Sequence, residues 1–246
     1  MKYFLTHVID PDADWPEGLE DQLRGWVTEM DHRGVLIDGV PLRLDVPPTC
    51  VRRTQTGVVV ADGPYAETKE QVAGFDLIEA DDLDEAIAVA GAHPTLIGGA
   101  IEIRPVAPGM ATPEPYEPRA DREQYLMLVC WDQSGDAEIR DEGPGGADER
   151  RPIDDWIDHA AERRLHGSQL QPPALATTVR RVDGTVTVTD GPFAETKEQI
   201  GGYDLLEVTG LDEAVEIARD HGSGLIDLRL CSVGIQPEVA GGSTTA

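Results

Sequence analysis

Hydrophobic and polar positions follow two alternating periods along this chain, and the whole series occurs twice. Residues 3–9 (YFLTHVI) form a compact apolar run that reads as a strand, and Leu19, Leu23, Trp26, Val27 and Met30 then recur on one helical face. Gly34 suits the C-terminal cap of that helix. A loop with Pro47 and Pro48 leads into CVRRTQTGVVVADGP at 50–64, read as a strand entering a turn, and then into the β-rich VAGFDLIEA at 72–80. Asp82 followed by Glu85 is a capping box that opens a second helix through Ala86, Ile87 and Val89, and IEIRPV at 101–106 closes the series as a strand. The second pass has YLMLVCW at 125–131, a helical face of Ile153, Trp156, Ile157 and Ala160, TVRRVDGTVTVTDGP at 178–192, IGGYDLLEV at 200–208, LDEAVEIARD at 211–220 and LIDLRLCSVG at 225–234. Each pass predicts strand, helix, strand, strand, helix, strand.

The repetition is an internal duplication. DGPYAETKEQVAGFDLIEADDLDEAIAVA at 62–90 and DGPFAETKEQIGGYDLLEVTGLDEAVEIA at 190–218 share 18 of 29 positions, where average residue usage gives roughly two by chance. The offset is 128 residues for the block, for Val51, Arg52 and Arg53 against Val179, Arg180 and Arg181, for Leu42 against Leu170 and for His93 against His221. It is 130 for Trp26 and Trp156, and 122 for Tyr3 and Tyr125, because an acidic, glycine-rich loop at 134–151 lengthens the second copy. The expected division is a first domain at 1–107, a proline-rich linker at 108–121, a second domain at 122–236 and a flexible tail at 237–246.

A βαββαβ order is the ferredoxin-like arrangement, an antiparallel sheet with both helices on one face. The other face is then left apolar and open, and two such sheets packed face to face bury it. The expected architecture is α+β, with two tandem ferredoxin-like domains forming an internal pseudo-dimer and any cleft lying at the seam.

Charge narrows the partners. The formal net charge of -27 disfavours nucleic acid and anionic membranes, whose recognition rests on Lys and Arg. No apolar run reaches the 18 or so residues of a membrane helix, and the start MKYFLTHVIDPD has neither the basic nor the apolar region of a signal peptide, so a cytoplasmic location is expected. A basic protein partner and further homodimerisation are compatible with the acidic surface. Cys50, Cys130 and Cys231 are odd in number and form no CxxC pair, so they read as small buried hydrophobes. No metal-ligand spacing, phosphate loop or nucleophile elbow occurs, and neither a metal nor a cofactor is expected.

Several residues carry candidate chemistry. Asp62 and Asp190 open DGP turns, where turn chemistry alone accounts for the residue types, while a carboxylate held at a strand end could also act as a base. Glu67 with Lys69, and Glu195 with Lys197, would point the same way in an extended chain and could pair or touch a ligand. Arg52 and Arg180 occupy matching positions and could hold a substrate carboxylate or neutralise Asp62 or Asp190. His7 lies inside the first strand opposite Val129 in the alignment, a candidate general base in one half only. His93 and His221 follow the second helices, where the helix dipole favours an imidazolium. Trp26 and Trp156 belong to apolar stripes and read as core.

DGPYAETKE and DGPFAETKE, each followed by a glycine, an aromatic and an LDEA helix, resemble the DGPF group of the YCII-related family over both halves. The resemblance implies ferredoxin-like domains forming dimeric α+β barrels. Some relatives are encoded with or fused to extracytoplasmic-function sigma factors, one branch includes a dehydrochlorinase of chlorinated hydroxyquinols, and most members have no assigned activity. Related branches carry a His and Asp pair with the His on the first helix, where this chain offers Leu23 and Ile153. The expected function is binding of a small cyclic or aromatic, anionic molecule at the seam, with proton-transfer, isomerase or dehydrochlorinase-like chemistry left open. The alternative is a non-catalytic regulatory or protein-interaction module.

Overall fold

In the computed structural model, residues 1–66, 68–132 and 152–232 are described; the expected loop at 134–151 and tail at 237–246 lie outside them. The first half contains β1 (Lys2–Ile9), α1 (Leu19–His32), β2 (Leu36–Pro41), β3 (Thr49–Thr54), β4 (Gly57–Asp62), β5 (Gln71–Glu79), α2 (Leu83–Gly91) and β6 (Gly99–Pro105). The second contains β7 (Glu123–Asp132), α3 (Pro152–Ala160), β8 (Arg164–Gln169), β9 (Thr177–Val182), β10 (Thr185–Asp190), β11 (Glu198–Val208), α4 (Leu211–Asp220) and β12 (Leu225–Leu230). Local signals act as expected at the helix ends. Asp82 accepts from Glu85 N at 3.0 Å, and Gly34 ends α1 with φ of 67°.

One reading of the strands needs correction. The second strand of the ferredoxin-like core is β2, a short segment at the sheet edge that carries Asp38, Gly39 and Pro41 and so lacks a β-rich pattern. The stretch 50–64, read as a strand into a turn, is instead the β3–β4 hairpin. With β2 restored, the core sheets are β6-β1-β5-β2 and β12-β7-β11-β8, antiparallel throughout.

Each hairpin crosses to the other half. β3 pairs with β12 and β9 pairs with β6, so each sheet has six strands, two of them from the opposite half. The two core sheets also join at their corners. Arg43 N donates to Leu230 O at 2.9 Å and Ser232 N to Pro41 O at 2.8 Å, while Ala107 N donates to Gln169 O at 2.9 Å and Gln171 N to Pro105 O at 2.8 Å. The eight core strands thereby close into a fused dimeric α+β barrel.

Three apolar layers follow from the alternation of side chains along the strands. Phe4, Val8, Phe75 and Leu77 meet Leu126, Leu128, Tyr203 and Leu205 inside the barrel, with Phe4 stacked on Tyr203 at 4.2 Å. The three cysteines are free and buried in this same layer. The opposite faces pack Trp26 and Met30 against the first sheet and Trp156 and Ala160 against the second. Each indole ties its helix to the neighbouring one, Trp26 Nε1 donating to Val89 O at 3.3 Å and Trp156 Nε1 to Ile217 O at 3.0 Å.

The DGP turns are fastened by buried ion pairs of the opposite half. Arg229 Nε meets Asp227 Oδ1 at 2.9 Å, and Asp227 Oδ2 accepts from Tyr65 N at 2.9 Å. At the matching place Arg104 binds Glu102, whose Oε2 accepts from Phe193 N at 3.0 Å. Arg104 Nη1 donates on to Ile200 O at 2.9 Å, and Arg229 Nη1 to Val72 O at 3.2 Å. Removing one member of such a buried pair leaves the other charge uncompensated.

Two outcomes follow from this construction. Proteolytic cleavage within 111–120 is expected to leave the halves associated during size-exclusion chromatography, and separation into stable monomers would contradict the exchange of hairpins. Asp227→Ala is expected to lower the unfolding free energy by about 3 to 5 kcal/mol in urea titrations, and a loss below about 1 kcal/mol, the range of exposed pairs, would show that the lock is dispensable.

Candidate functional site

The residues singled out by the motifs lie mostly at the contacts between halves. Asp62 and Asp190 end their hairpins with exposed side chains, and the turn amides go elsewhere: Gly63 N donates to Pro48 O at 2.7 Å and Gly191 N to Ala176 O at 2.8 Å. Arg52 contacts Glu198 at 3.3 Å, and Arg180 makes the matching bridge to Glu70, with Nη2 at 2.8 Å from Oε2. Their neighbours cap helices of the opposite half, Arg53 Nη2 donating to Arg219 O and Arg181 Nη2 to Gly91 O, both at 2.8 Å. The arginines therefore neutralise the last glutamate of the ETKE segment of the other half, and neither of the aspartates considered for them. Lys69 pairs with Asp10 at 2.6 Å, and Glu195 and Lys197 are exposed. Glu67 lies outside the described residues.

His7 belongs to a different place from the one expected. The alternation of β1 turns Phe4 and Val8 into the barrel and Tyr3, Leu5 and His7 towards the helices, so His7 lies beneath α1 and away from the seam. Asp76 is on the same side of β5, across the strand pair and one step along, because it lies opposite Leu5. His7 Nε2 approaches Asp76 Oδ2 to 2.8 Å, and His93 Nε2 lies 3.6 Å from the same oxygen. The two imidazoles meet edge to face at 4.3 Å, and Trp26 closes over His93 at 4.4 Å.

Two glycines make room beside this cluster. Gly74 lies opposite His7 and Gly39 opposite Asp76, both on the helix-facing side, where any other residue would fill the space. A Cβ on Gly39 would come within 2.2 Å of Asp76 Oδ1. The result is a cavity of about 90 Å³ lined by His7, Asp76, His93 and Thr95 on its polar wall and by Leu23, Val27 and Leu36 on its apolar one. His7 and Asp76 are both 6% exposed, yet His7 Nε2 and Asp76 Oδ2 lack a hydrogen-bond partner of acceptable geometry despite their proximity. His93 is oriented by Thr95, whose Oγ1 lies 2.7 Å from Nδ1, and burial holds its imidazole well below the usual titration range, with His7 adding to the effect. Such a site can grip a small polar group and hand a proton to or from it. A larger dip of about 440 Å³ lies on the outer surface of α1 among Asp21, Glu29 and Arg33, without a buried polar group.

The second half keeps the frame and changes the contents. Asp204, His221, Gly167 and Gly202 repeat Asp76, His93, Gly39 and Gly74 at the 128-residue offset, and Ser223 Oγ lies 2.7 Å from His221 Nδ1 as Thr95 does in the first half. Val129 replaces His7 and Arg164 replaces Leu36. Arg164 Nε lies 2.6 Å from Asp204 Oδ1 and satisfies that carboxylate. Burial still pushes Asp204 up to about 6, with Arg164 opposing, and burial with Arg164 lowers His221 to about 4.

A third polar group lies on the approximate twofold axis. Asp38 and His166 are equivalent by the 128-residue offset and meet directly, with His166 Nε2 at 2.7 Å from Asp38 Oδ2. The linker residue Tyr116 donates to the same oxygen at 2.9 Å, and Tyr203 Oη lies 3.3 Å from His166 Nδ1. Asp38, Asp76 and Tyr116 are absent from the motif-based candidates; the doubled GFD and GYD of 74–76 and 202–204 are the one sequence feature that marks Asp76, and the motif reading passed over it.

The closed pair of ferredoxin-like sheets defines a fused dimeric α+β barrel protein. The chain belongs to the YCII-related domain family, which matches residues 1–109 and again 146–225. An uncharacterized protein of Rhizobium meliloti (strain 1021) is 49% identical over 53 residues, 22% of this chain and 43% of that protein, so the match spans under half of the relative's length. A crystal structure assigned to a chlorite dismutase aligns over 94% of this chain and 93% of its own, at 8% identity and a TM-score of 0.36. Among the described residues no helix is long and apolar enough to cross a membrane.

The lowered His221 gives a signed pH prediction. The unfolded chain takes up the proton near 6.5 and the folded one near 4, so this residue contributes stability above pH 6.5 that is lost as the pH falls through that window. Asp204, raised to about 6, acts oppositely, favouring the folded state as the pH falls. The stability difference between wild type and His221→Gln should therefore move against wild type by on the order of 3 kcal/mol from pH 7 to pH 4, read by denaturant titration at each pH. A difference independent of pH would show that His221 titrates normally.

Proposed function

We propose that this YCII-related protein binds a small polar molecule in the cavity of its first half, between β1, β5 and α1, and that the second half serves as its structural counterpart. The observation that supports this is the pair of buried, unsatisfied atoms, His7 Nε2 and Asp76 Oδ2, on the wall of an open volume. A buried polar atom without a partner costs roughly 1 to 3 kcal/mol, and a ligand that supplies the missing hydrogen bonds recovers that cost. The volume is far below the roughly 300 to 1,000 Å³ of drug-sized sites. It suits a ligand of a few heavy atoms, or the polar end of a longer ring compound whose remainder passes between Leu23, Val27 and Leu36. The chemistry open to such a complex is proton transfer at a carbon or oxygen next to a carbonyl or hydroxyl, as an isomerase or an eliminating enzyme requires.

The seam itself does not favour a ligand. Its interior is filled by Phe4, Phe75, Tyr203 and their neighbours, and the arginines considered for an anion are engaged with Glu70 and Glu198.

A thermal-shift screen of small hydroxy acids, lactones, phenols and quinols tests the reading. A ligand confined to the folded state adds about 2.7 kcal/mol at a hundredfold excess over its Kd. The expected result is a shift from one chemical class that disappears in His7→Val, a substitution the fold accommodates because Val129 holds the matching position in the second half. A shift that persists in His7→Val and disappears in Tyr116→Phe would move the site to the seam. No shift from any class would overturn the reading.

A further inference from the structure

The geometry points to a divalent first-row metal ion held by His7 Nε2, His93 Nε2 and Asp76 Oδ2. This inference deepens the proposed function, since it rests on the first-half cavity being the working site. The three donor atoms lie within 4.8 Å of one another and all three residues are buried. Metal-ligand bonds of about 2.0 to 2.1 Å place neighbouring donors roughly 2.9 Å apart at right angles and about 3.4 Å apart at the tetrahedral angle. The separations of 2.8 Å and 3.6 Å from Asp76 Oδ2 to the two imidazoles fall on either side of that range. One cation between them would turn a misaligned contact into three bonds.

The surroundings match what such a site needs. The cluster stands on one side of the cavity, which is large enough to hold waters or a ligand in the remaining coordination positions. His93 Nδ1 lies 2.7 Å from Thr95 Oγ1 and 3.2 Å from Thr95 N, contacts that hold the ring in place; ligation through Nε2 takes the tautomer in which Nδ1 carries the proton and donates to Thr95 Oγ1. Trp26 and His7 pack against the ring on its edges and restrict its rotation. Two imidazoles and one carboxylate suit Zn²⁺, Fe²⁺, Mn²⁺ or Co²⁺ rather than the all-oxygen preference of Ca²⁺ and Mg²⁺. When bound, the ion would polarise a carbonyl or hydroxyl oxygen of the ligand. The net charge of -27 favours capture of a cation.

The second half is an internal comparison. It retains the carboxylate and one imidazole, Asp204 and His221, but Val129 removes the third donor and the Arg164 guanidinium occupies the carboxylate. A full chain should therefore bind one ion, not two.

The test is a Co²⁺ titration of the full-length chain after dialysis against a chelator, read by visible d–d absorption. One equivalent is expected in wild type and in His221→Gln, and none in His7→Val or Asp76→Asn. The double variant Val129→His/Arg164→Leu is expected to take up a second equivalent. Absence of d–d absorption at stoichiometric Co²⁺, or uptake unaffected by His7→Val, would overturn the proposal. Repeating the ligand screen on chelator-treated protein separates the two readings. Ligand shifts undiminished without metal would remove the ion and leave the small-molecule site standing, whereas Co²⁺ uptake without any ligand shift would keep the ion and remove the proposed function.

Discussion

Each half of this protein inserts a turn into the other and binds it to a buried carboxylate, and the rest of the structure depends on that exchange. Asp227 and Glu102 lie on the last strands of their halves, almost fully excluded from water, each held by an arginine two residues on and each accepting the amide of the aromatic that follows a DGP turn. A charge so deeply buried is tolerable only when its hydrogen-bonding capacity is filled. The filling groups come from the opposite half, so neither half is electrostatically complete alone. The hairpins extend the opposite sheets, their arginines reach the opposite glutamates and helix ends, and the aromatics Tyr65 and Phe193 pack against the barrel interior. Linking the halves in one chain replaces a bimolecular association with an intramolecular one, at the effective concentration set by a short proline-rich linker.

Fusion also allows the halves to differ, and the differences are concentrated in two places. On the axis, Asp38 faces His166; two identical chains would place aspartate against aspartate or histidine against histidine, both repulsive when charged. Beneath the first helices, the shared frame of aspartate, histidine and paired glycines is closed by Arg164 in one half and left open beside His7 in the other. The scaffold is symmetric at the buried ion pairs that fasten the halves and asymmetric on the axis and beneath the first helices.

Much of the architecture was legible because the periodicities and the repeat agree. The helices, their caps, the outer strands and the face-to-face pairing all follow from local pattern plus the need to cover an open apolar face. β2 was not legible, since an edge segment of six residues with an aspartate, a glycine and a proline has no strand pattern, and its place comes from pairing with β5. The exchange of hairpins was equally hidden, because TVRRVDGTVTVTD reads as a strand entering a turn, and nothing local in it says that it folds back or which sheet receives it. The motif residues were conspicuous for a reason of assembly. Arg52, Arg180 and the DGP turns recur in both copies because the two halves fasten one another through the same contacts, made twice.

The candidate site was visible only where the copies disagree. A residue repeated in both halves serves what both halves need, and His93 with His221 illustrates this: both pack against a tryptophan, and both have a hydroxyl on Nδ1. His7 has no such counterpart. The second half shows that the fold is content with a valine there and with an arginine paired to the carboxylate, a solution in which the buried acid is satisfied. The first half instead surrounds its acid with two imidazoles, leaves Asp76 Oδ2 and His7 Nε2 without aligned partners, and keeps an open volume beside them. Packing gives no reason to prefer that arrangement, because it sacrifices both a hydrogen bond and close contact that the neighbouring copy of the same frame retains. Local stability given up at one place, against a stable alternative present in the same molecule, is the physical signature of a position shaped by what it binds.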